Sequence, residues 1–159
     1  MNPSRKITVH LKRKRGLSIP FPASLVRAAA RTALLHQGIA EPCELTIYLT
    51  DDAHIQTLNR DFLGIDSPTD VLSFPAGERD PQYGQLYLGD IALSLPRAME
   101  QSQKAGHSLE AEIHLLVVHG VLHLLGQDHA EPGEKKRMWD AQSAILEQLG
   151  WKDLRIDED

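Results

Sequence analysis

The sequence contains a single cysteine, Cys43, so no internal disulfide can form. This fits a reducing compartment, in which we expect Cys43 to act as a small buried hydrophobe. Long apolar runs are also missing. The most apolar window, Leu115–Gly126, is interrupted by two histidines and is shorter than the ~18 residues of a membrane span. No apolar segment follows the basic N-terminal residues, which argues against a secretory signal. We therefore predict a soluble, cytoplasmic protein with no membrane partner.

Acidic residues are absent from residues 1–37, although the whole chain has 22 of them and a net charge of −5. The same segment holds eight Lys or Arg, including the consecutive run Lys12, Arg13, Lys14 and Arg15. Clustering of this kind can be an electrostatic footprint for phosphate groups, which makes the run a candidate substrate-binding site for nucleic acid. The alternative is a solvated strand and hairpin that is basic without binding anything.

The 159 residues are 42% hydrophobic and 25% charged, the composition of one globular domain of ordinary size. We place this domain at residues 1–151 and expect residues 152–159 (KDLRIDED) to be a solvated tail. Predicted strands come early and are mixed with helices, while helices dominate the second half. The pattern therefore indicates an α+β fold, a small mixed β-sheet packed against helices, without fixing the strand order.

Hydrophobic periodicity and capping residues predict the individual elements. Ser24 is expected to cap the first helix, and Ser108 the helix that carries the histidines. Pro75 is expected to close the third strand, with residues 76–84 as a polar loop. The predicted strands cover residues 7–11, 44–49, 71–74 and 86–93, and the predicted helices cover residues 24–37, 51–60, 95–104, 108–126 and 132–149.

The segment from His119 to His129 holds three of the eight histidines of the chain. On a helix, His119 and His123 lie one turn apart on one face, about 6 Å along the axis, so both imidazoles can bind one ion. Gly126 supplies a helix stop after which the chain can turn back, so His129 can donate a third nitrogen. Three histidines make a catalytic zinc-type site with a fourth position open for water, whose pKa falls to about 7. This metal-bound water is the predicted catalytic group.

The alternative to a metal is a set of buried histidines with ordinary partners. Burying three imidazoles near the leucines and valines of Leu115–Leu125 without partners would be costly, and a metal removes that cost. His114 lies about 140° away from the face of His119, so we expect it to be structural. The remaining histidines are expected to be surface or local features: His10, His36, His54 and His107.

The spacing HxxxHxxGxxH is also that of metzincin peptidases, whose motif has Glu directly after the first histidine as general base. Here that position is Gly120, and the stretch 119–126 has no Asp or Glu. A glycine inside a helix costs roughly 1 kcal/mol relative to alanine, so we expect backbone or substrate to come close there. Asp128 is the nearest carboxylate, a candidate catalytic residue that suits orientation of a neighbouring ligand equally well.

Two blocks of the sequence resemble the YbeY-type rRNA maturation factors, which are bacterial single-metal endoribonucleases. The first block is HGVLHLLGQDH, residues 119–129. The second combines Leu58-Asn59, residues 66–75 (DSPTDVLSFP) and residues 88–91 (LGDI). Order and spacing of the blocks agree with the family, and the resemblance covers roughly residues 40–150.

This resemblance implies a zincin-like α+β hydrolase domain. His119, His123 and His129 would hold one Zn²⁺ per chain, or another divalent transition metal in its place. The implied activity is metal-dependent, single-strand endoribonuclease cleavage in maturation of the small-subunit rRNA 3′ end and in ribosome quality control. The implied partners are rRNA and the small ribosomal subunit.

Two positions depart from the pattern of that family. Many members carry Arg directly after the aromatic that follows Leu-Asn, and that Arg is implicated in activity; here Leu63 follows Phe62. Arg60 is close in sequence and is kept as a candidate catalytic residue. Gln127 stands where an aromatic commonly precedes Asp-His, which alters packing near the metal more than the chemistry.

The PTDVLSFP block can also be explained from its own residues. Pro68 forces an extended entry and Asp70 can hydrogen-bond the turn, so the block can be a structural turn followed by a core strand. Alternatively, Ser73 faces the metal cleft as a candidate catalytic residue, and Asp90 anchors a ligand histidine. Three functions stay open: an endoribonuclease, a zincin-type metallopeptidase, and a non-catalytic ribosome-associated factor whose structural metal would need four protein ligands.

Overall fold

The computed structural model describes residues 7–39, 42–79, 81–82, 85–127, 131–152 and 154. These ranges contain four strands and five helices. In chain order they are β1 (Ile7–Arg13), α1 (Ala23–His36), β2 (Cys43–Thr50), α2 (Asp52–Leu63), β3 (Val71–Arg79), β4 (Leu86–Ser94), α3 (Leu95–Ala105), α4 (Leu109–Leu124) and α5 (Pro132–Gln148).

The strands form one sheet in the order β1-β2-β4-β3. β1, β2 and β4 run parallel, whereas β3 is antiparallel to β4 and lies at an edge. A mixed sheet packed against helices confirms the predicted α+β class. The strand order, which the sequence left open, puts β1 and β3 at opposite edges.

Side chains on β4 alternate between two apolar clusters, as neighbouring residues of a strand must. Ile91 and Leu93 belong to the main core, which α1, α4 and α5 cover. Ala92 points the other way and packs with Leu72 of β3 and Ile55 of α2. One face of the sheet is therefore covered by the main core except along β3, where residues 75–79 are exposed, and the other face is covered in part by α2.

The helix α4 is the centre of the molecule, in contact with α1, α3, α5, β3 and β4. Its apolar residues surround the axis, which is the pattern of a helix buried on nearly all sides. Ser108 caps its start, because the side-chain oxygen accepts a hydrogen bond from the Ala111 N–H at 3.1 Å. Gly126, with φ +90°, follows its last turn, so both predicted boundary signals are confirmed.

Gly120 lies where α4 crosses β4. A Cβ atom placed on it would lie 3.0 Å from Ile91 Cγ2 and 3.1 Å from Ile91 Cδ1. The expectation of a close neighbour is therefore confirmed, but the neighbour is a core side chain rather than backbone or substrate. The Ser73 hydroxyl on β3 also donates to the Gly120 carbonyl oxygen at 3.0 Å.

Two predicted boundaries are wrong. Pro22, not Ser24, holds the cap position of α1, and no side-chain hydrogen bond is made there. Strand β3 continues through Pro75 to Arg79, so residues 76–79 are not loop. Proline is tolerated because β3 is an edge strand and its register shifts between Pro75 and Glu78.

Near the C-terminus, the chain packs more tightly than the sequence predicts. Leu154 is half-buried against the main core, so the predicted tail is not solvated at that residue, whereas Lys152 is exposed. Residues 153 and 155–159 lie outside the described ranges.

His114 has the structural role predicted for it. Its Nε2 lies 2.9 Å from the Leu25 carbonyl oxygen, and its Nδ1 accepts a hydrogen bond from Trp151 Nε1 at 2.7 Å. Burial lowers the pKa of this imidazole, so the neutral form joins α4 to α1 and to the C-terminal segment.

We expect Gly120→Ala to lower the free energy of unfolding by about 1–2 kcal/mol, because overpacking against Ile91 outweighs the gain of about 1 kcal/mol in helix propensity. In an Ile91→Ala background the same change should be neutral or stabilising. Urea unfolding of the four proteins measures this coupling. Gly133→Ala on α5, where a Cβ would meet nothing within 4 Å, is the matched control. An equal cost in both backgrounds would contradict the packing argument.

Candidate functional site

The two described histidines of the predicted metal site lie together on α4. The Nε2 atoms of His119 and His123 are 3.0 Å apart, and the ring centroids are 4.5 Å apart. His129 and Asp128 lie outside the described residues. The structure therefore brings together two of the three predicted ligands.

The geometry of this pair fits shared binding of a cation. Two nitrogens bound at 2.0–2.1 Å to one tetrahedral ion would be about 3.3 Å apart, close to the observed separation. His119 Nδ1 lies 2.7 Å from Gln142 Oε1. An amide oxygen can only accept, so this contact puts the ring proton on Nδ1 and directs the Nε2 lone pair of His119 towards His123. Within the described ranges no three His, Cys, Asp or Glu side chains converge on one point.

Gln142 is the residue that sequence reasoning missed. It is fully buried on α5, one turn after Met138 and one turn before Ile145. A polar residue within such an apolar stripe signals a buried partner, and that signal was available in the sequence. Hydrogen-bonded partners of this kind orient ligand histidines and fix their tautomer.

Asp90, predicted to anchor a ligand histidine, lies on the face of the sheet away from the two described histidines, His119 and His123. Its neighbour Ile91 faces Gly120 on α4, so Asp90 points to the other face of the sheet, where it is exposed. There it accepts a hydrogen bond from the Tyr87 hydroxyl, which also lies 2.7 Å from Thr46 Oγ1.

A cleft of about 580 Å³ opens beside the histidine pair. It lies between the start of β3, one stripe of α4, the ends of α2 and α3, and one face of α5. Glu112 precedes His119 by seven residues and His123 by eleven, so the three side chains share one stripe of α4. The cleft is large enough for part of a nucleotide or peptide chain.

The far end of that stripe carries a buried polar network. His107 Nε2 lies 2.6 Å from Glu112 Oε1, and both residues line the cleft. With its amide turned to satisfy both carboxylates, the Gln101 nitrogen lies 3.3 Å from Asp70 Oδ2 and 3.1 Å from Glu112 Oε2. His107, expected to be a surface or local feature, makes a local contact with Glu112, five residues along the chain, and forms part of the cleft wall.

The two other described catalytic candidates differ in position. Ser73 lines the cleft, with its hydroxyl bonded to the Gly120 carbonyl oxygen. Arg60 is exposed, pairs with Asp61 at 3.2 Å and does not reach the cleft, whereas Leu63 lines it. The structure thus brings Ser73, but not Arg60, to the histidines.

The basic run of residues 12–15 lies at the edge of the sheet formed by β1, opposite the β3 edge that borders the cleft. Lys12, Arg13 and Arg15 are exposed, while Lys14 pairs with Asp51 at 2.5 Å and lowers the pKa of that carboxyl. β1 is three strand spacings from β3, or about 14 Å. The run is therefore separate from the cleft.

Comparison with known proteins connects this geometry to a family. The family model described as Endoribonuclease YbeY matches residues 12–150. The chain belongs to the endoribonuclease YbeY family. Membership confirms the resemblance seen in the two sequence blocks, and with it the predicted enzyme class, an endoribonuclease and hence a hydrolase.

Individual relatives show the same extent of similarity. Endoribonuclease YbeY of Acetivibrio thermocellus is 42% identical over 137 residues, which cover 79% of this chain and 85% of the relative. That of Rhodococcus erythropolis is 38% identical over 156 residues, covering 94% and 85%. The solution structure of TM1509 from Thermotoga maritima has a TM-score of 0.57 at 28% identity, covering 90% of this chain and 88% of that one. The helices in the described ranges lack the combined length and apolarity of a transmembrane segment.

Proposed function

We propose that this chain is a metal-dependent, single-strand endoribonuclease of the cytoplasm. Its proposed role is maturation of the small-subunit rRNA 3′ end and ribosome quality control, with rRNA and the small ribosomal subunit as partners. The observation that carries the proposal is the pair of imidazoles, with Nε2 atoms 3.0 Å apart, in the wall of the cleft of an endoribonuclease-family chain.

His119, His123 and His129 would hold one zinc-type ion. When bound, such an ion keeps its +2 charge among neutral ligands and can polarise a phosphoryl oxygen or lower the pKa of water. Gln142 orients the His119 ring through the contact at Nδ1. The acceptor is a fully buried amide, so this ring orientation is set by the core rather than by solvent.

A peptidase would need a carboxylate that this site does not place next to the first histidine. A glutamate at position 120 would collide with Ile91, since even a Cβ comes within 3.0 Å. RNA needs less from the protein, because its 2′-hydroxyl is a nucleophile already placed beside the phosphate. The site is therefore better suited to a phosphodiester than to a peptide bond.

We expect the purified chain to cut single-stranded rRNA fragments in a chelator-sensitive way and to leave unstructured peptides intact. A missing general base typically costs roughly 10²–10⁴-fold, which would make a peptidase feeble. The His119→Ala/His123→Ala double variant should lose cleavage and bound metal together. A single 2′-deoxy substitution at the scissile position identifies the nucleophile. Loss of cleavage would show that the 2′-hydroxyl attacks the phosphate, and continued cleavage would show that water does. Peptide hydrolysis without RNA cleavage would overturn the proposal.

Gln142→Leu should weaken zinc affinity by roughly 10- to 100-fold, because His119 loses the partner that fixes its tautomer. Gln142→Glu keeps an accepting oxygen and should retain most of the affinity. Competition with a fluorescent chelator measures both, and Gln148→Leu at an exposed position of the same helix is the control. Affinity unchanged in Gln142→Leu would show that the contact does not support the site.

Neutralising Lys12, Arg13 and Arg15 should weaken binding of long single-stranded RNA and leave short oligonucleotides unaffected, because the run lies about 14 Å from β3. Each lost phosphate contact should reduce the slope of log affinity against log salt by about 0.7. Titrations at several salt concentrations with both RNA lengths measure this. An unchanged slope on long RNA would mean that the run is only solvated.

A further inference from the structure

Three large apolar side chains are exposed together where α2 ends. Phe62 is 68% exposed, and Leu63 and Ile65 are each 53% exposed. The other exposed large hydrophobics of the described residues, Leu35 and Met99, lie singly on α1 and α3. Scattered apolar residues need no explanation, but a contiguous group marks an interaction site.

The backbone beneath this apolar group is held firmly. Gly64 closes α2 with φ +72°, its N–H donating to the Arg60 carbonyl oxygen at 3.1 Å. The Ile65 N–H donates to the Asn59 carbonyl oxygen at 3.2 Å, and Asn59 Nδ2 donates to the Ser67 carbonyl oxygen at 3.0 Å. Because these hydrogen bonds already fix its backbone, this surface loses little conformational entropy on binding.

The Phe62 ring is also fixed from one side. It meets the Phe74 ring edge-to-face, with centroids 5.5 Å apart and planes inclined by 64°. Phe74 is half-buried on β3 and packs with Leu72 and Ala92 on the α2 face of the sheet, whereas its neighbours Ser73 and Pro75 line the cleft. Leu63 lines the cleft as well, so the apolar group runs from the mouth of the cleft around the edge strand β3 to Phe62.

The apolar group of Phe62, Leu63 and Ile65 is called the lip below. The charged side chains around this lip do not favour binding of a phosphate. Arg60 is paired with Asp61 at 3.2 Å, and Gln56 donates to Asp66 at 3.0 Å. Apolar Leu63 occupies the position after Phe62. What the lip offers to a single strand entering the cleft is an aromatic face, which binds a base regardless of its identity.

We propose that Phe62 is a stacking platform for one unpaired nucleobase of the RNA strand that enters the cleft, with Leu63 and Ile65 as its apolar surround. This inference rests on the proposed nuclease function. It assigns a residue that holds the strand outside the mouth of the cleft, beyond Leu63, and it accounts for an aromatic ring that is 68% exposed.

The test is binding of a short labelled single-stranded RNA to full-length variants in the presence of a chelator, which prevents cleavage. Phe62→Ala and Phe62→Leu should each weaken binding by about 5- to 20-fold, the lower part of the range for stacking one base. Phe62→Trp should bind at least as tightly as the wild type, because it keeps a larger aromatic face. Met99→Ala is the matched control, and thermal unfolding of Phe62→Leu checks the fold.

An abasic site moved along the RNA gives a second readout. At one position the missing base should weaken wild-type binding, and there Phe62→Ala should have no further effect. Wild-type affinity in Phe62→Leu would overturn the proposal, since bulk alone would then suffice. Loss of self-association in Phe62→Ala with RNA affinity unchanged would instead assign the lip to a second copy of the chain. If the wild type neither binds nor cuts RNA, the proposed function fails too; if it cuts and Phe62→Ala matches it, this inference alone fails.

Discussion

The close approach of α4 to the sheet is the constraint on which the site depends. Two glycines permit it, one on each element. Gly120 leaves room on α4 for Ile91, while a Cβ at Gly89 on β4 would lie 3.0 Å from Leu124 Cδ2 and would overlap the Phe74 carbonyl oxygen at 2.3 Å. Ser73 then ties its hydroxyl to the Gly120 carbonyl oxygen. This hydrogen bond ties the turn of α4 that carries His119 to strand β3.

Burial of α4 on its other sides restricts where chemistry can occur. Helices and strands cover its apolar residues, and a stripe from Glu112 to His123 is left to line the cleft. Interior packing is dense enough that a helix held on nearly all sides cannot shift without disturbing the core. The histidines therefore sit on a rigid support, and Gln142 reaches them from the core of α5 rather than from a loop.

Local signals in the sequence predicted the parts of this structure that depend on neighbours along the chain. The i, i+4 histidine pair, the Ser108 cap and the stop at Gly126 are all decided within one or two helical turns. The strand order, the passage of β3 through Pro75 and the outward direction of Asp90 were not predictable in this way. Each depends on which strand pairs with which, and a shift of one residue reverses the face to which a strand side chain points. The role of Gln142 could have been suspected from its place in an apolar stripe, but its partner lies 23 residues away on another helix.

The charges near the cleft explain how a chain of net charge −5 can receive an anionic substrate. The carboxylates that line the cleft already accept hydrogen bonds or face a histidine. Glu112 Oε1 lies 2.6 Å from His107 Nε2, and Asp70 Oδ1 accepts from the Val71 N–H at 2.8 Å. A carboxylate that already accepts strong hydrogen bonds repels a phosphate less than an unpartnered one does, because its charge is partly compensated. Neutral imidazoles add no negative charge of their own. An ion held by them would thus act on a phosphate with its full charge, while Lys104, the lysine that lines the cleft, is paired with Glu100 at 2.9 Å.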